Sequence, residues 1–339
     1  MQALSVAIIG SGPAGLTAAI YTSRARLQTT LFAGLEIGGQ LMYTSDIENF
    51  PGFPAGKSGP QLMMDMQEQA KRFGTEIKYE QITAVDFGSE PFRLWTKLPA
   101  GMTQNDYKNL RGAELEAAMA TIRQDEATYS AQTVIIATGA SSIMLSIPGE
   151  QEYFGHGVST CAVCDAAFYR EKNVYVVGGG DSAMEDALAL AKFTDRVTIV
   201  HRSDAFRASK IMQERVLNHP HIKVLWNTQV TQVFGDGKQV QKIALLSQGQ
   251  AQEVPADGLF LAIGHRPNTA LFASQISVDK VGYINLQKHD VYHTATSVEG
   301  VFAAGDVADH RYRQAIVSAG MGTQAALDVE HYLLQQGSS

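Results

Sequence analysis

The chain has 339 residues, 45% of them hydrophobic and 18% charged, with 31 Gly, only 2 Cys and a net charge of -7. That length suits two domains of ordinary size with their own cores, which excludes a short peptide, a disordered tail or a fibrous repeat. The acidic balance is wrong for a surface that follows a phosphate backbone, so no nucleic-acid partner is expected. Residues 5–9 (SVAII) read as a buried strand. They lead into Gly10-Ser11-Gly12-Pro13-Ala14-Gly15 and an apolar-faced helix over 16–26. In such a dinucleotide turn Gly10 permits the tight bend, Gly12 lets a pyrophosphate approach the backbone, and Gly15 lets helix and strand pack closely. A lone GxGxxG is weak; the flanking strand and helix give it weight.

Further along, a helix carries Met63, Met64 and Met66, and residues 133–140 form a buried strand that closes on Gly139. Between them, residues from about 99 to 130 read as a surface helical excursion, with Asn105-Asp106 as its cap and Leu110, Leu115, Met119 and Ile122 at roughly helical spacing. The second dinucleotide turn begins at Gly178. The strand 174–177 runs into Gly178-Gly179-Gly180-Asp181-Ser182-Ala183, a helix from Met184 to about Phe193, and a strand 196–200 ending at His201-Arg202. Arginine at that point usually meets a ribose 2′-phosphate. Residues 259–264 repeat the strand-to-Gly pattern. Prolines in 147–149 and 253–255 suggest hinge strands between domains. The expected fold is α/β, with two Rossmann-like three-layer dinucleotide-binding domains, the second inserted in the first. The first spans 1–146 and 254–339 and the second spans 147–253. Near the C-terminus the strand 300–305 ends in Asp306, an acid able to accept a ribityl hydroxyl or to serve as an N-cap. A helix from Gln314 follows, its positive end available to an anionic ring.

Both cysteines lie in Cys161-Ala162-Val163-Cys164-Asp165. CxxC spacing allows a disulfide and lowers a thiol pKa. Half of a zinc site is the competing reading, but no second CxxC exists and His156 supplies at most one more ligand. Asp165 is placed to shuttle a proton to or from a thiolate, or to cap a helix. His289 with His293 and His219 with His221 read as surface pairs. No segment offers the ~18 apolar residues of a membrane span and residues 1–15 show no signal-like basic region, so a cytoplasmic protein is expected.

These motifs, with Gly38-Gly39-Gln40, Glu48-Asn49-Phe50-Pro51-Gly52, Ala137-Thr138-Gly139-Ala140 and Gly305-Asp306-Val307 through Arg313-Gln314-Ala315, resemble those of the low-molecular-weight thioredoxin reductases over nearly the whole chain. The resemblance implies an FAD held by Gly10, Ser11, Gly12, Pro13, Ala14, Gly38, Gly39, Gln40, Asn49, Thr138, Gly139, Asp306, Arg313, Gln314 and Ala315. It implies a homodimer, a thioredoxin-like protein or other dithiol as partner, and a Cys161–Cys164 disulfide that exchanges electrons with the flavin. Cys164 would face the flavin, Cys161 would attack the partner, and Asp165 would be the acid/base. In such enzymes the inserted domain rotates about its two hinges. A second nucleotide, NAD(P)H or another FAD, falls to Gly178, Gly180, Asp181, Ser182, Ala183, His201, Arg202 and Arg207.

Four departures stand out. The family's HRRxxxR reads His201-Arg202-Ser203-Asp204-Ala205-Phe206-Arg207 here, which removes one phosphate-binding Arg and about 1.5–3 kcal/mol with it. Ala167 replaces one of the paired aromatics after the CxxC, and His156 stands where a basic residue is common. The excursion at 99–130 is longer than the family's turn there. Sequence alone therefore also allows reversed flow from dithiol to flavin, or a flavin and disulfide that only sense redox state. A thioredoxin-reductase-like ferredoxin-NADP reductase is disfavoured, because that group lacks the CxxC.

Overall fold

The computed structural model describes residues 1–35, 37–44 and 46–337. It divides into two units, the first Met1–Met42, Phe50–Ser141 and Arg266–Ser339, the second Tyr43–Asn49 and Ser142–His265.

In the first unit, β1 (Gln2–Ile9), β2 (Thr29–Phe32), β3 (Glu76–Lys78) and β6 (Tyr129–Ile136) form a parallel sheet in the order β3-β2-β1-β6. β1 lines one edge of β6 along its whole length. The other edge is shared: β5 (Phe92–Trp95) pairs antiparallel with Tyr129–Ala131, and β17 (Val301–Ala303) pairs parallel with Val134–Ile136. β4 (Ala84–Asp86) pairs antiparallel with β5. The central strands are apolar almost throughout because both faces are covered. Ala7, Ile9, Val134, Ile136, Val301 and Ala303 point into one cluster with Phe87, Phe92 and Phe272, while Val6, Ile8, Ile135 and Phe302 alternate to the other face. Helix α1 (Pro13–Arg24) packs on α2 (Gly59–Arg72) and on the long α8 (Ala315–Gln336). On α2, Met63 and Met66 are buried and Met64 is exposed.

The excursion is two helices, α3 (Gln104–Asn109) and α4 (Gly112–Ile122). The cap of α3 is Thr103, not Asn105-Asp106. Its hydroxyl accepts from the Asp106 N–H at 3.2 Å while the Asp106 carboxylate accepts from the Thr103 N–H at 2.9 Å, a reciprocal capping box. Leu115, Met119 and Ile122 pack with Tyr107, Ala84 and Trp95 into a satellite core. Burial pushes the Tyr107 phenol up to about 12, and its hydroxyl donates to the Thr83 carbonyl. The excursion thus covers the sheet's β4–β5 corner. Met119 is fully buried there, so Met119→Ala is expected to cost about 2–5 kcal/mol of stability, read as a lowered Tm with turnover per folded enzyme unchanged.

In the second unit, β8 (Val158–Ser159), β9 (Val174–Val177), β10 (Val197–Val200), β11 (Ile222–Leu225) and β15 (Gly258–Leu261) make an all-parallel sheet ordered β11-β10-β9-β15-β8. β12 (Thr228–Gly235), β13 (Val240–Ser247) and β14 (Gln250–Pro255) form an antiparallel sheet of their own. Its helices are α5 (Ala162–Asp165), α6 (Asp181–Leu190) and α7 (Lys210–Leu217). Short strands β7 (Ala140–Ser142) and β16 (His265–Pro267) lie where the chain crosses between units.

Those crossings differ from the expected 146/147 and 253/254. The chain leaves the first unit after Ser141 because the buried Glu150 carboxylate accepts from the N–H groups of Leu145 and Ser146 at 2.7 and 2.8 Å, tying them into the second unit. It returns at Arg266 because Glu253-Val254-Pro255 belongs to β14, with Val254 paired to Ile243, and β15 follows inside the parallel sheet. Pro255 marks an edge strand, a position proline tolerates, and not a hinge.

Candidate active site

The first dinucleotide turn is built as its glycines require. A Cβ on Gly10 would lie 2.2 Å from the Ala137 carbonyl oxygen, and one on Gly15 would lie 1.9 Å from that of Gly10, so helix and strands touch through bare backbone. Gly12 is different: a Cβ there would meet nothing within 4 Å, and its φ of -73° suits any residue. Gly12 is also the N-cap of α1 and offers no side-chain cap, which leaves the helix's first N–H groups facing that open space. The Ser11 hydroxyl donates to the Ala33 carbonyl at 3.1 Å and accepts from the Gly38 N–H at 3.0 Å, clipping the 33–38 loop to the turn. Gly39 lies over Gly12, its would-be Cβ 3.6 Å from the Gly12 Cα, and the Gln40 amide donates to the Ala140 carbonyl.

The C-terminal segment joins the same place. Gly305 and Gly322 pack against Ala14, where a Cβ would lie 2.9 Å from the Ala14 Cβ and 2.2 Å from its oxygen respectively. Asp306, one residue on, is mostly buried and accepts from the Ser318 hydroxyl at 2.9 Å. Burial raises its carboxyl to about 6, Ser318 and Arg313 opposing the shift. It caps no helix; the N-cap of α8 is Gln314. Asp309 accepts from the N–H groups of Arg311, Tyr312 and Arg313, at 2.9–3.0 Å, and so shapes the loop that brings Arg313, Gln314 and Ala315 to the start of α8. Open space above a capless helix N-terminus, with a part-buried acid beside it, fits an FAD, whose pyrophosphate would lie over Gly12 to Ala14 and whose hydroxyls would meet Asp306. Thr138 and Gly139 are held by Asn268, whose amide donates to the Thr138 carbonyl and whose N–H donates to that of Gly139, both at 2.9 Å. Asn49 is exposed and belongs to the second unit.

The second turn repeats the contrast. A Cβ on Gly178 would lie 2.5 Å from the Ala262 oxygen and 2.7 Å from the Ala183 Cβ, whereas one on Gly180, the capless N-cap of α6, would meet nothing within 4 Å. His201 has a structural role: its buried ring fills the space beside Gly179, bonds the Ala205 carbonyl at 3.0 Å and packs on Phe206 and Trp226. That holds the 203–207 loop against the turn, with the Arg207 N–H donating to the Gly179 carbonyl at 2.7 Å and the side chains of Arg202 and Arg207 exposed. Asp181 accepts from the N–H and hydroxyl of Ser209 at 2.9 and 2.8 Å, locking α6 to the start of α7. Ser182 follows it in the first turn of α6.

Cys161 and Cys164 form a disulfide, their Cα atoms 5.3 Å apart. Cys161 is the N-cap of the four-residue α5, and its sulfur accepts from the Cys164 N–H at 3.2 Å. Asp165 is largely buried, which raises its carboxyl, while the Ser159 hydroxyl, 2.6 Å away, pulls it back. Val163, between the two cysteines, and Phe168, four residues after Cys164, are both exposed, and Ala167 adds no ring. Among the described residues no group of three or more His, Cys, Asp or Glu is placed to hold a metal, and no helix is long and apolar enough to cross a membrane.

Two dinucleotide turns, a part-buried acid beside the first and a disulfide just ahead of the second define a flavoprotein that exchanges electrons with disulfides. Residues 4–322 match the family described as pyridine nucleotide-disulphide oxidoreductase, and the chain belongs to that family. It is an FAD-dependent disulfide oxidoreductase. It is 45% identical to a thioredoxin reductase of Debaryomyces hansenii, with 98% of each chain covered. A solved thioredoxin reductase from Giardia duodenalis is 40% identical, with 98% of this chain and 100% of that one covered and a TM-score of 0.83. A Pseudomonas fluorescens protein named glucosaminate ammonia-lyase is also 45% identical, over 97% of this chain and 95% of its own.

Proposed function

We propose that the chain carries electrons from NADPH, through FAD, to the Cys161–Cys164 disulfide and on to the disulfide of a thioredoxin-like protein. The first unit would hold FAD through the turn at Gly10–Gly15, Gly38–Gln40, Thr138, Gly139, Asp306 and Arg313–Ala315. The second would hold the pyridine nucleotide over Gly180 to Ala183, with Arg202 and Arg207 toward the 2′-phosphate. The observation that carries the reading is the Cys161–Cys164 bond, set between the two turns in sequence and followed directly by the part-buried Asp165 carboxyl.

When bound, the flavin supplies two-electron transfer between nicotinamide and disulfide. Cys161, as thiolate, attacks one sulfur of the partner's disulfide; a mixed disulfide forms and one partner sulfur leaves. Cys164 then attacks the Cys161 sulfur, restoring the internal bond and releasing the second partner sulfur. The two protons of the enzyme dithiol end on the partner dithiol, one of them by way of Asp165. The resemblance also carries a homodimer, which light scattering would show as twice 36.7 kDa.

Anaerobic titration tests the donor. One flavin per chain, bleached by NADPH and reoxidised by oxidised thioredoxin, supports the reading. Two flavins per chain would place a second FAD at Gly178–Ala183 instead, and a flavin reduced only by dithiol would reverse the flow. A disulfide that changes state without turnover would mark a sensor. The exposed Ser203 adds a graded check, since Ser203→Arg restores a charge-assisted contact. It is expected to lower the KM for NADPH about tenfold or more and leave that for NADH unchanged.

A further inference from the structure

The Ser159 hydroxyl stands between the two groups on which thiol exchange depends. It donates to Asp165 Oδ2 at 2.6 Å and accepts from the N–H of Cys161 at 3.1 Å. Ser159 is buried at the end of β8, in register with Phe260 of β15, so the sheet fixes the hydroxyl and not a loop.

We propose that Ser159 is a positioning residue for the disulfide chemistry, holding the Asp165 carboxyl in its proton-exchanging place and the Cys161 backbone beside it. The proposal rests on the reading of Asp165 as the acid/base. A hydroxyl has one proton to give and two lone pairs. With Asp165 ionised, the Ser159 proton points at the carboxylate and a lone pair remains for the Cys161 N–H, so both bonds coexist. With Asp165 protonated on Oδ2, the Ser159 proton must turn away; protonated on Oδ1, the acid leaves Oδ2 as a neutral and weaker acceptor. The serine therefore favours the ionised carboxylate.

Among the described residues no cation pairs with Asp165; Lys172 lies instead over the Tyr169 ring, 5.5 Å from its centroid. Tyr169, in the turn after α5, is a buried phenol whose titration is pushed up by burial and by Asp165 itself. Helix α6, packed on α5, brings only Asp181, Glu185 and Asp186, and Asp257 lies near Tyr169. In exchange, a thiol S–H bond breaks as the Asp165 O–H bond forms, and the proton later passes to the departing partner sulfur. Two electrons move from enzyme dithiol to partner disulfide over the cycle. Ser159 gains and loses nothing, which is why its effect should appear in the proton step.

The test uses the flavin-loaded enzyme with NADPH, thioredoxin and a chromogenic disulfide as final acceptor, from about pH 5.5 to 9. Ser159→Ala is expected to move the acid limb of kcat up by about one pH unit, a tenfold change in proton affinity. Flavin content and the rate of flavin reduction by NADPH should stay unchanged. Ser159→Thr, which keeps the hydroxyl, should hold the limb in place. A limb unmoved in the Ala variant, or moved equally in the Thr variant, overturns the proposal. Asp165→Asn separates the two failures. If that variant turns over at the wild-type rate with the same limb, the acid/base reading itself is wrong. If it is slow while the Ala variant keeps the wild-type limb, only the role of Ser159 falls.

Discussion

Cys164→Ser should abolish turnover on disulfides, a loss of at least about 10³, or about 4 kcal/mol of barrier, while the flavin stays bound and NADPH still reduces it. Resolution of the mixed disulfide requires a thiolate that can reach Cys161, and the Cα atoms of the pair lie only 5.3 Å apart. A serine hydroxyl in the same place is never ionised near neutral pH and forms no S–S bond. The variant should therefore trap the partner. Reduced, freed of reductant and mixed with oxidised thioredoxin, Cys164→Ser is expected to accumulate a covalent complex through Cys161, visible as a heavier band without reductant and lost with it. Cys161→Ser should be equally inactive but form no such complex. If the Cys161→Ser variant traps the partner and Cys164→Ser does not, the two sulfurs have exchanged roles. If both variants turn over, the disulfide is not on the electron path.

Much of this was legible in the sequence where one local pattern serves one local structure. The strand-turn-helix at Gly10 lies on β1 and α1, and that at Gly178 on β9 and α6, because glycines at backbone contacts leave a chain little else to do. The CxxC pair is a disulfide whose spacing alone allowed it. What stayed hidden depends on partners distant in sequence or on very short elements. The return point at Arg266 turns on β14 pairing with β13, and a proline at a strand edge looks the same as one at a hinge. The stretch Tyr43–Asn49 belongs to the second unit although it precedes that unit's main segment by most of a domain. His201 ends a strand where nucleotide-binding residues gather, yet its ring is walled in by Gly179, Phe206 and Trp226, contacts that no periodicity announces. Ser159 sits in a two-residue strand with no pattern to flag it.

Gly12→Ala and Gly180→Ala should each remove one nucleotide and leave the fold intact, because the protein itself has no need of glycine at either position. Their φ values, -73° and -98°, lie where alanine is comfortable, and an added Cβ would meet no protein atom within 4 Å. What the methyl would meet is a pyrophosphate drawn close to the helix N-terminus. Gly12→Ala is expected to weaken FAD by at least about 100-fold, or 2.7 kcal/mol, giving a colourless protein whose Tm matches that of the flavin-stripped wild type. Gly180→Ala should keep its flavin and its disulfide, with dithionite still bleaching the one and dithiothreitol still opening the other. Reduction by NADPH should slow by a similar factor. Gly15→Ala and Gly178→Ala are the necessary contrast. Their Cβ atoms would lie 1.9 and 2.5 Å from backbone oxygens, so both should lower Tm even without ligand, since backbone cannot move aside as a flexible side chain can. If Gly180→Ala were reduced by NADPH at the wild-type rate, the open space over α6 would not be where the pyridine nucleotide lies. If Gly12→Ala melted early as the stripped protein, its glycine would serve the fold after all, and loss of flavin could not be read as loss of a binding contact.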